Sequence, residues 1–468
     1  MLALALTLAM TACGDKDQPP LTVHLAGDST MADKPDPDRN PERGWGQVLG
    51  RYFNEQVTVR NHAVNGRSTK SFIDEGKWMR LVESLGPGDY VFIQFGHNDS
   101  KAYDPSRYAN AYSAYRRNLE QMVLETRERG AYPVLLSPIV RRSFNADGTL
   151  EDTHGPYPFV ARSVALEHRV PFIDLQQQTE DLVSGLGPEA SASLYLILPP
   201  GTCEMYPEGI TDNTHLNEQG AMEVARMAAV TLRDQGLPLA DYLRPDLCKP
   251  RVLVVTGGHS YDTVEFRALL EEMEHFSFDT ISHPRAPGLL RSPYVLGYDV
   301  LLFYDYVPDL PLKDSSLYLN LAHHGMPLLF LHHSLCSFQQ WGGFRKLAGG
   351  QYLMDGYGHD STRLSVYTHD VDLEIRIADP GHPVTAGLED FSIRDEAYGN
   401  IWLEEDASPL LVTEHPESSP TVAWTHRYGN SRVVSITLGH DRNAYENPAF
   451  RTLVSNALTW LASEKTGH

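Results

Sequence analysis

HLAGDSTM, residues 24–31, reads as the end of a buried strand running into a tight turn. Leu25 and Ala26 are apolar, Gly27 frees the backbone, and Asp28, Ser29 and Thr30 are polar where the chain leaves the core. Taken alone, Ser29 fits two readings: a nucleophile held at a strand end, or a hydrogen-bonding turn residue. The second is the commoner, since Ser and Asp fill turns and helix N-caps generally. The choice has to come from the rest of the chain.

Outward from that stretch the same punctuation recurs. VTVRNHAVNGRST (57–69), DYVFIQFGHND (89–99), AYPVLLSPIVRR (131–142) and VPFIDL (170–175) are short runs rich in Val, Ile, Leu or Phe. Each ends in Gly, Asn, Ser or charged residues. Helical patterns lie between them; in residues 108–130, Tyr112, Tyr115, Leu119, Met122 and Val123 recur at helical spacing. A further helix over 218–236 closes this half. Strands alternating with helices predict a parallel sheet covered on both faces, with polar strand ends facing a ligand crevice.

The proline-punctuated stretch LPLADYLRPDLCKP (237–250) predicts a linker over 241–250. A second half restarts at RVLVVTGGHSYD (251–262) and continues through YDVLLFYDYV (298–307), MPLLFLHHS (326–334) and SRVVSITLGHD (431–441). It ends in a helix whose Phe450, Leu453, Val454, Ala457, Leu458 and Leu461 form one apolar stripe. The expected fold class is α/β: two three-layer α/β/α domains with mostly parallel sheets, over residues 21–240 and 251–465. No repeat relates them.

The 468 residues carry 41% hydrophobic and 21% charged side chains and a formal net charge of −22. Such an acidic surface repels phosphate backbones, which argues against nucleic acid as a partner. No internal run approaches the ~18 apolar residues of a spanning helix. Residues 1–20, MLALALTLAMTACGDKDQPP, combine an apolar run with MTAC and a polar tail, although no Lys or Arg precedes the run. They resemble a bacterial lipoprotein signal with Cys13 as the lipidated residue. That predicts an exported periplasmic or cell-surface protein with a membrane tether. Export permits disulfides, and Cys203 and Cys248 fall in one domain and are candidates to pair. No Cys/His spacing suggests a structural zinc, and no cofactor is called for.

Ester hydrolysis needs a nucleophile, a base, a group that orients the base, and donors for the oxyanion. The first half offers all four at strand ends. Ser29 follows the first strand, Gly66 sits in the turn after the second, and Asn98 follows the third. Asp212 and His215, three apart in TDNTHLN, let a carboxylate hold one ring nitrogen and leave the other for Ser29. Each piece has a bland alternative, and Asn217 is a ready helix cap. Their order and placement decide for chemistry.

These residues resemble those of the SGNH hydrolases, named for Ser, Gly, Asn and His. The resemblance, over roughly residues 21–240, implies a flavodoxin-like sheet, Ser29 as nucleophile, His215 as base and Asp212 as its orienter. It implies an oxyanion hole from the N–H groups of Ser29 and Gly66 and the Asn98 amide. GDSTM, HAVNGRSTKSF, FGHND and YPEGITDNTHLNEQGA look most like the rhamnogalacturonan acetylesterase branch, which removes O-acetyl groups from pectin. The expected partner is then an acetylated polysaccharide or oligosaccharide. Trp45, Tyr157, Tyr206 and Arg141 are candidates to line the sugar crevice. The net acidity opposes attraction of an acidic pectic chain, so acetylated xylan stays open as a substrate. The polar loops around the motifs argue against long-chain acyl esters.

In the second half, VTGGHSYD lacks the lysine of a P-loop and the full G-x-G-x-x-G pattern, which excludes nucleotide binding. His259, His332, His333, His359 and His440 fall at presumed strand ends, with Asp441 beside the last. No His-x-x-x-His or 2-His-1-carboxylate set assembles from spacing, so no metal is assigned. The stretches TGGHSYDTVEF, HHSLCSFQQWGGFRKLAGG and LGHDRNAYENPAFRTLVSNALTWL resemble trehalose-utilisation (ThuA-like) domains. That likeness implies a class I glutamine-amidotransferase-like fold and a carbohydrate-related role. Cys336 lacks the flanking glycines of an amidotransferase elbow, so glutaminase chemistry is not expected. A glycan-binding protein dominated by this half is the alternative of another class.

Overall fold

The computed structural model describes residues 19–309, 311 and 315–463. Cys13 and the expected signal lie outside the described residues, as does the side chain of Cys248; Cys203 is a free thiol. The chain forms two compact units, one running through Cys248 and the other from Lys249. The stretch expected as a linker packs onto the first unit instead. Leu243 is fully buried there, and the Arg244 N–H donates to the Tyr52 carbonyl at 2.9 Å. Apolar residues between the prolines outweigh the linker-like punctuation.

The first unit is built on β1 (Leu21–Gly27), β2 (Val57–Asn61), β3 (Tyr90–Gln94), β4 (Tyr132–Leu136) and β5 (Phe172–Ile173). They pair in the order β2-β1-β3-β4-β5, all parallel. Every residue of β3 is buried and Val23–Ala26 of β1 are inaccessible, as a sheet covered on both faces requires. Helix α1 (Thr69–Asp74) is started by a capping box between Ser68 and Ser71. Helix α2 (Arg116–Glu128) buries Leu119, Met122 and Val123. Tyr112 departs from the expected stripe because a π-helical turn, Ala111–Tyr115, shifts the register ahead of α2 and leaves it 66% exposed. An antiparallel pair, β6 (Tyr195–Leu198) and β7 (Ile210–Asn217), leads into α3 (Glu218–Asp234). Asn217 caps α3 by accepting the Gly220 N–H at 3.0 Å. Only glycine fits at 220, where a Cβ would come 2.0 Å from the Leu194 carbonyl oxygen.

The second unit holds β8 (Arg251–Gly257), β9 (Ser277–Ser282), β10 (Val300–Asp305), β11 (Leu328–Leu331), β12 (Val366–Ile377), β13 (Phe391–Gly399), β14 (Ser408–Thr413), β15 (Thr421–Tyr428) and β16 (Ser431–Ile436). The sheet order is β9-β8-β10-β11-β16-β15-β14-β12-β13. The first five are parallel and the rest extend the sheet antiparallel. Only β14, with Leu410, Leu411 and Val412, carries an aliphatic run in that extension. In β12, buried Val371, Leu373 and Ile375 alternate with exposed Asp372, Glu374 and Arg376, the period of a strand with one wet face. Helix α4 (Pro448–Ala462) buries all six stripe residues, the Phe, Leu and Val side chains contributing about 1.5–3 kcal/mol each of gross burial. Among the described residues no helix is long and apolar enough to cross a membrane.

Candidate active site

The turn after β1 is shaped by its own polar groups. Buried Asp28 accepts the Thr30 N–H at 3.0 Å and the Thr30 hydroxyl at 2.9 Å, while its carbonyl accepts the Ala32 N–H at 3.0 Å. At Gly27 a Cβ would crowd Met31 Sδ at 2.7 Å and the Gln94 carbonyl oxygen at 3.0 Å. Ser29 is thereby held at the strand end, half-buried. His215 Nε2 lies 2.8 Å from Ser29 Oγ, and His215 Nδ1 lies 2.7 Å from Asp212 Oδ2. The other Asp212 oxygen accepts the N–H groups of Thr214 and His215 at 2.8 and 3.0 Å. Burial acts to raise the Asp212 carboxyl, but the His215 ring and these N–H groups outweigh it and hold the carboxyl well below its ordinary range. An ionised Asp212 fixes the proton on Nδ1. The lone pair of Nε2 then faces the serine hydroxyl.

Two further strand ends are tied to this turn. Lys34, buried, donates to the Ser29 carbonyl at 2.7 Å and to Asn65 Oδ1 at 2.8 Å, and pairs with Glu42 at 2.7 Å. That links the nucleophile turn to the next one, where Gly66 has a left-handed φ of +75°. Asn98, after β3, donates from Nδ2 to the Arg67 carbonyl at 3.1 Å and accepts the Lys101 ammonium on Oδ1 at 2.9 Å. The ammonium identifies the oxygen, so the amide orientation is unambiguous. Nδ2 carries two hydrogens and Arg67 takes one, leaving a donor for an oxyanion.

In the second unit, His259, His332, His333 and His440 line one cavity of about 260 Å³ together with Glu396 and Tyr398. Cys336 lies in its wall. Burial pushes the thiol far up, out of the range of a reactive thiolate.

Residues 25–222 match the GDSL-like lipase/acylhydrolase family, and residues 251–461 match ThuA, trehalose utilisation. The rhamnogalacturonan acetylesterase RhgT of Bacillus subtilis is 45% identical over 224 residues, which are 48% of this chain and 94% of that protein. A rhamnogalacturonan acetylesterase of Emericella nidulans is 27% identical, over 47% of this chain and 89% of its own length. A solved ThuA-like protein from Parabacteroides merdae aligns with a TM-score of 0.40 at 17% identity, over 46% of this chain and 91% of that one.

The chain belongs to the GDSL-like lipase/acylhydrolase family.

It is a carboxylic ester hydrolase of the serine type, with a ThuA domain following. This GDSL-like hydrolase brings Ser29, Asp212 and His215 into hydrogen-bond contact, but not all of the expected crevice wall lies open. Trp45 is fully buried and donates to Gln94 Oε1 at 2.7 Å, so it belongs to the core. Tyr157 is likewise internal; its hydroxyl donates to the carbonyls of Asp99 and Ala109 at 3.0 and 2.9 Å. Arg141, half-buried, clamps the carbonyls of Thr153 and His97 at 2.8 and 3.0 Å and so shapes the wall from behind. Tyr206 is half-buried and lies within electrostatic reach of Asp212. Burial raises its hydroxyl pKa, and the charges of Glu42 and Asp212 add to the rise. In the ThuA domain, Asp441 caps a short helix by accepting the Asn443 N–H at 2.8 Å and takes no place in the cavity. His359 is held by Gln339 Oε1 at 3.0 Å.

Lys34 and Asp99 were not legible beforehand. Asp99, fully buried, accepts the Thr69 N–H at 3.0 Å and the Thr69 hydroxyl, tying the end of β3 to α1. Burial pushes its carboxyl up from an ordinary 3.8 to about 7, against the Thr69 bonds and with help from Asp28. A folded pKa above the unfolded one stabilises the fold fully below about pH 4, and the contribution is lost as pH rises through about 7. Asp99→Asn, which keeps the acceptor, should therefore gain stability relative to wild type by roughly 3 kcal/mol between pH 4.5 and 8. Urea midpoints at the two pH values measure this, and a pH-independent difference would contradict it.

Proposed function

We propose that the first unit is an O-acetylesterase acting on acetylated plant cell-wall polysaccharide, most directly pectic rhamnogalacturonan, with Ser29 as nucleophile. The observation that carries the reaction is the unbroken chain Asp212–His215–Ser29, with links of 2.7 and 2.8 Å. As Ser29 Oγ bonds to the acetyl carbon, its proton passes to His215 Nε2, and the Asp212 carboxylate stabilises the imidazolium. The N–H groups of Ser29 and Gly66 and the free hydrogen of Asn98 receive the oxyanion. The bond to the sugar oxygen then breaks and that oxygen takes the proton from Nε2. Water repeats the sequence on the acetyl-enzyme and releases acetate. The choice of sugar is supported by RhgT, 45% identical over nearly its whole length and named for that substrate.

The test is acetate release from acetylated rhamnogalacturonan and acetylated xylan in parallel. kcat/KM on rhamnogalacturonan is expected to be about tenfold higher or more, a discrimination of about 1.4 kcal/mol. Equal or reversed values would move the substrate to xylan. Cleavage of long-chain acyl esters with no acetate from either glycan would sink the sugar-ester reading.

A further inference from the structure

The second unit brings three side chains of metal-ligand type to one point. His332 follows β11, Glu396 lies in β13, and His440 follows β16. His332 Nε2 is 3.1 Å from His440 Nδ1 and 3.2 Å from Glu396 Oε2, and the last two atoms are 3.5 Å apart. Ligand atoms about 2.1 Å from a common ion are about 3.0 Å apart at right angles and about 3.4 Å apart at tetrahedral angles. The observed triangle has edges of that size.

The surroundings fix which atoms face inward. His332 Nδ1 faces the Thr437 carbonyl at 2.7 Å, which turns Nε2 toward the triangle, where the Tyr398 hydroxyl also lies 3.1 Å from it. A backbone carbonyl behind a ligating imidazole is the usual support of a metal-bound histidine. A ring nitrogen and a carboxylate oxygen thus meet at 3.2 Å, two atoms of metal-ligand type aimed at one point. The other Glu396 oxygen is held by His369 Nδ1 at 2.9 Å, which aims Oε2 at the triangle. Asp395 accepts the N–H groups of Gly439 and His440 at 2.6 and 3.0 Å, fixing the backbone that presents His440. His332 itself has φ +49°, an uncommon value for a non-glycine residue that the packing around it maintains.

We propose that His332, Glu396 and His440 bind a divalent transition-metal ion at the floor of the second-unit cavity, with its remaining coordination positions open to that cavity. Two imidazoles and one carboxylate suit Zn²⁺, Fe²⁺, Mn²⁺ or Co²⁺ rather than the all-oxygen preference of Ca²⁺ or Mg²⁺. His332 is inaccessible and Glu396 is 6% exposed, whereas the His440 side chain is 26% exposed. The site is thus closed on the protein side and open toward the cavity, the form of a catalytic rather than a structural metal centre. Tyr306, Tyr352 and Tyr367 line the same cavity and offer ring faces and hydroxyls to a polyhydroxylated ligand above the ion.

The test uses the full chain stripped with chelator, then exposed separately to Zn²⁺, Co²⁺ and Mn²⁺ and desalted before metal analysis. About one ion per chain is expected, with affinity at least 100-fold weaker in Glu396→Gln and His440→Ala. A second measurement needs no variant. Carbethoxylation of His440, mapped by mass spectrometry in wild type, should be slowed by the bound ion, and Co²⁺ should show the visible bands of a histidine-ligated site. Wild type that retains none of the three ions overturns the proposal. So does equal retention by both variants with His440 unprotected. Either result would make the triangle a hydrogen-bonded cluster only.

Discussion

Ser29→Ala should lower kcat for acetate release by about 10⁴-fold or more, while leaving the fold intact. In the proposed reaction the hydroxyl forms the bond to the acetyl carbon, with His215 Nε2 2.8 Å away to take its proton. Its removal leaves the oxyanion donors and the binding surface, which by themselves retain only a small residue of catalysis. The turn does not depend on that hydroxyl. Asp28 and Thr30 shape it, and Lys34 holds the Ser29 carbonyl rather than the side chain. An unchanged unfolding midpoint with lost acetate release is the expected pair of results. A variant that keeps wild-type kcat would exclude Ser29 as the nucleophile.

Asp212→Asn should cost about 10⁴-fold in kcat through the tautomer of His215. One Asp212 oxygen accepts two backbone N–H groups and the other accepts the Nδ1 proton. An asparagine keeps its oxygen toward the backbone donors, so its NH₂ faces Nδ1. The imidazole then turns acceptor at Nδ1 and carries its proton on Nε2, where it opposes the serine hydroxyl. Because geometry and volume are conserved, substrate affinity should change little. The check is a kinetic comparison in which kcat falls and KM does not. A loss smaller than about tenfold would show that Asp212 is only a loop residue.

Much of the esterase site was legible because a parallel sheet converts sequence order into spatial order. Side chains just past the C-terminal ends of adjacent strands face one crevice, and Ser29, Gly66 and Asn98 are such residues on neighbouring strands β1, β2 and β3. Asp212 and His215 were legible through their own spacing. Trp45 and Tyr157 were misplaced because an aromatic near a motif has the same composition whether it packs inward or lines a groove. Only their hydrogen bonds to Gln94, Asp99 and Ala109 tell them apart. Lys34 carried no signal. A lysine in a polar loop reads as solvated until the fold buries it against Ser29, Asn65 and Glu42.

The second unit shows the opposite case. His332 and His440 are 108 residues apart, and Glu396 sits in a strand of the antiparallel extension that no aliphatic run predicts. Their convergence is a product of strand order: β16 inserts beside β11, and the chain passes through β12 and β13 before returning. By itself, then, the sequence carried the α/β class, the two-part organisation and the candidate esterase residues, since these rest on local patterning and on residues at strand ends. Tertiary structure alone decided which aromatics are core, which cation supports the nucleophile turn and which histidines share a carboxylate. Those facts depend on contacts between distant segments, and hydrophobic periodicity carries no information about them.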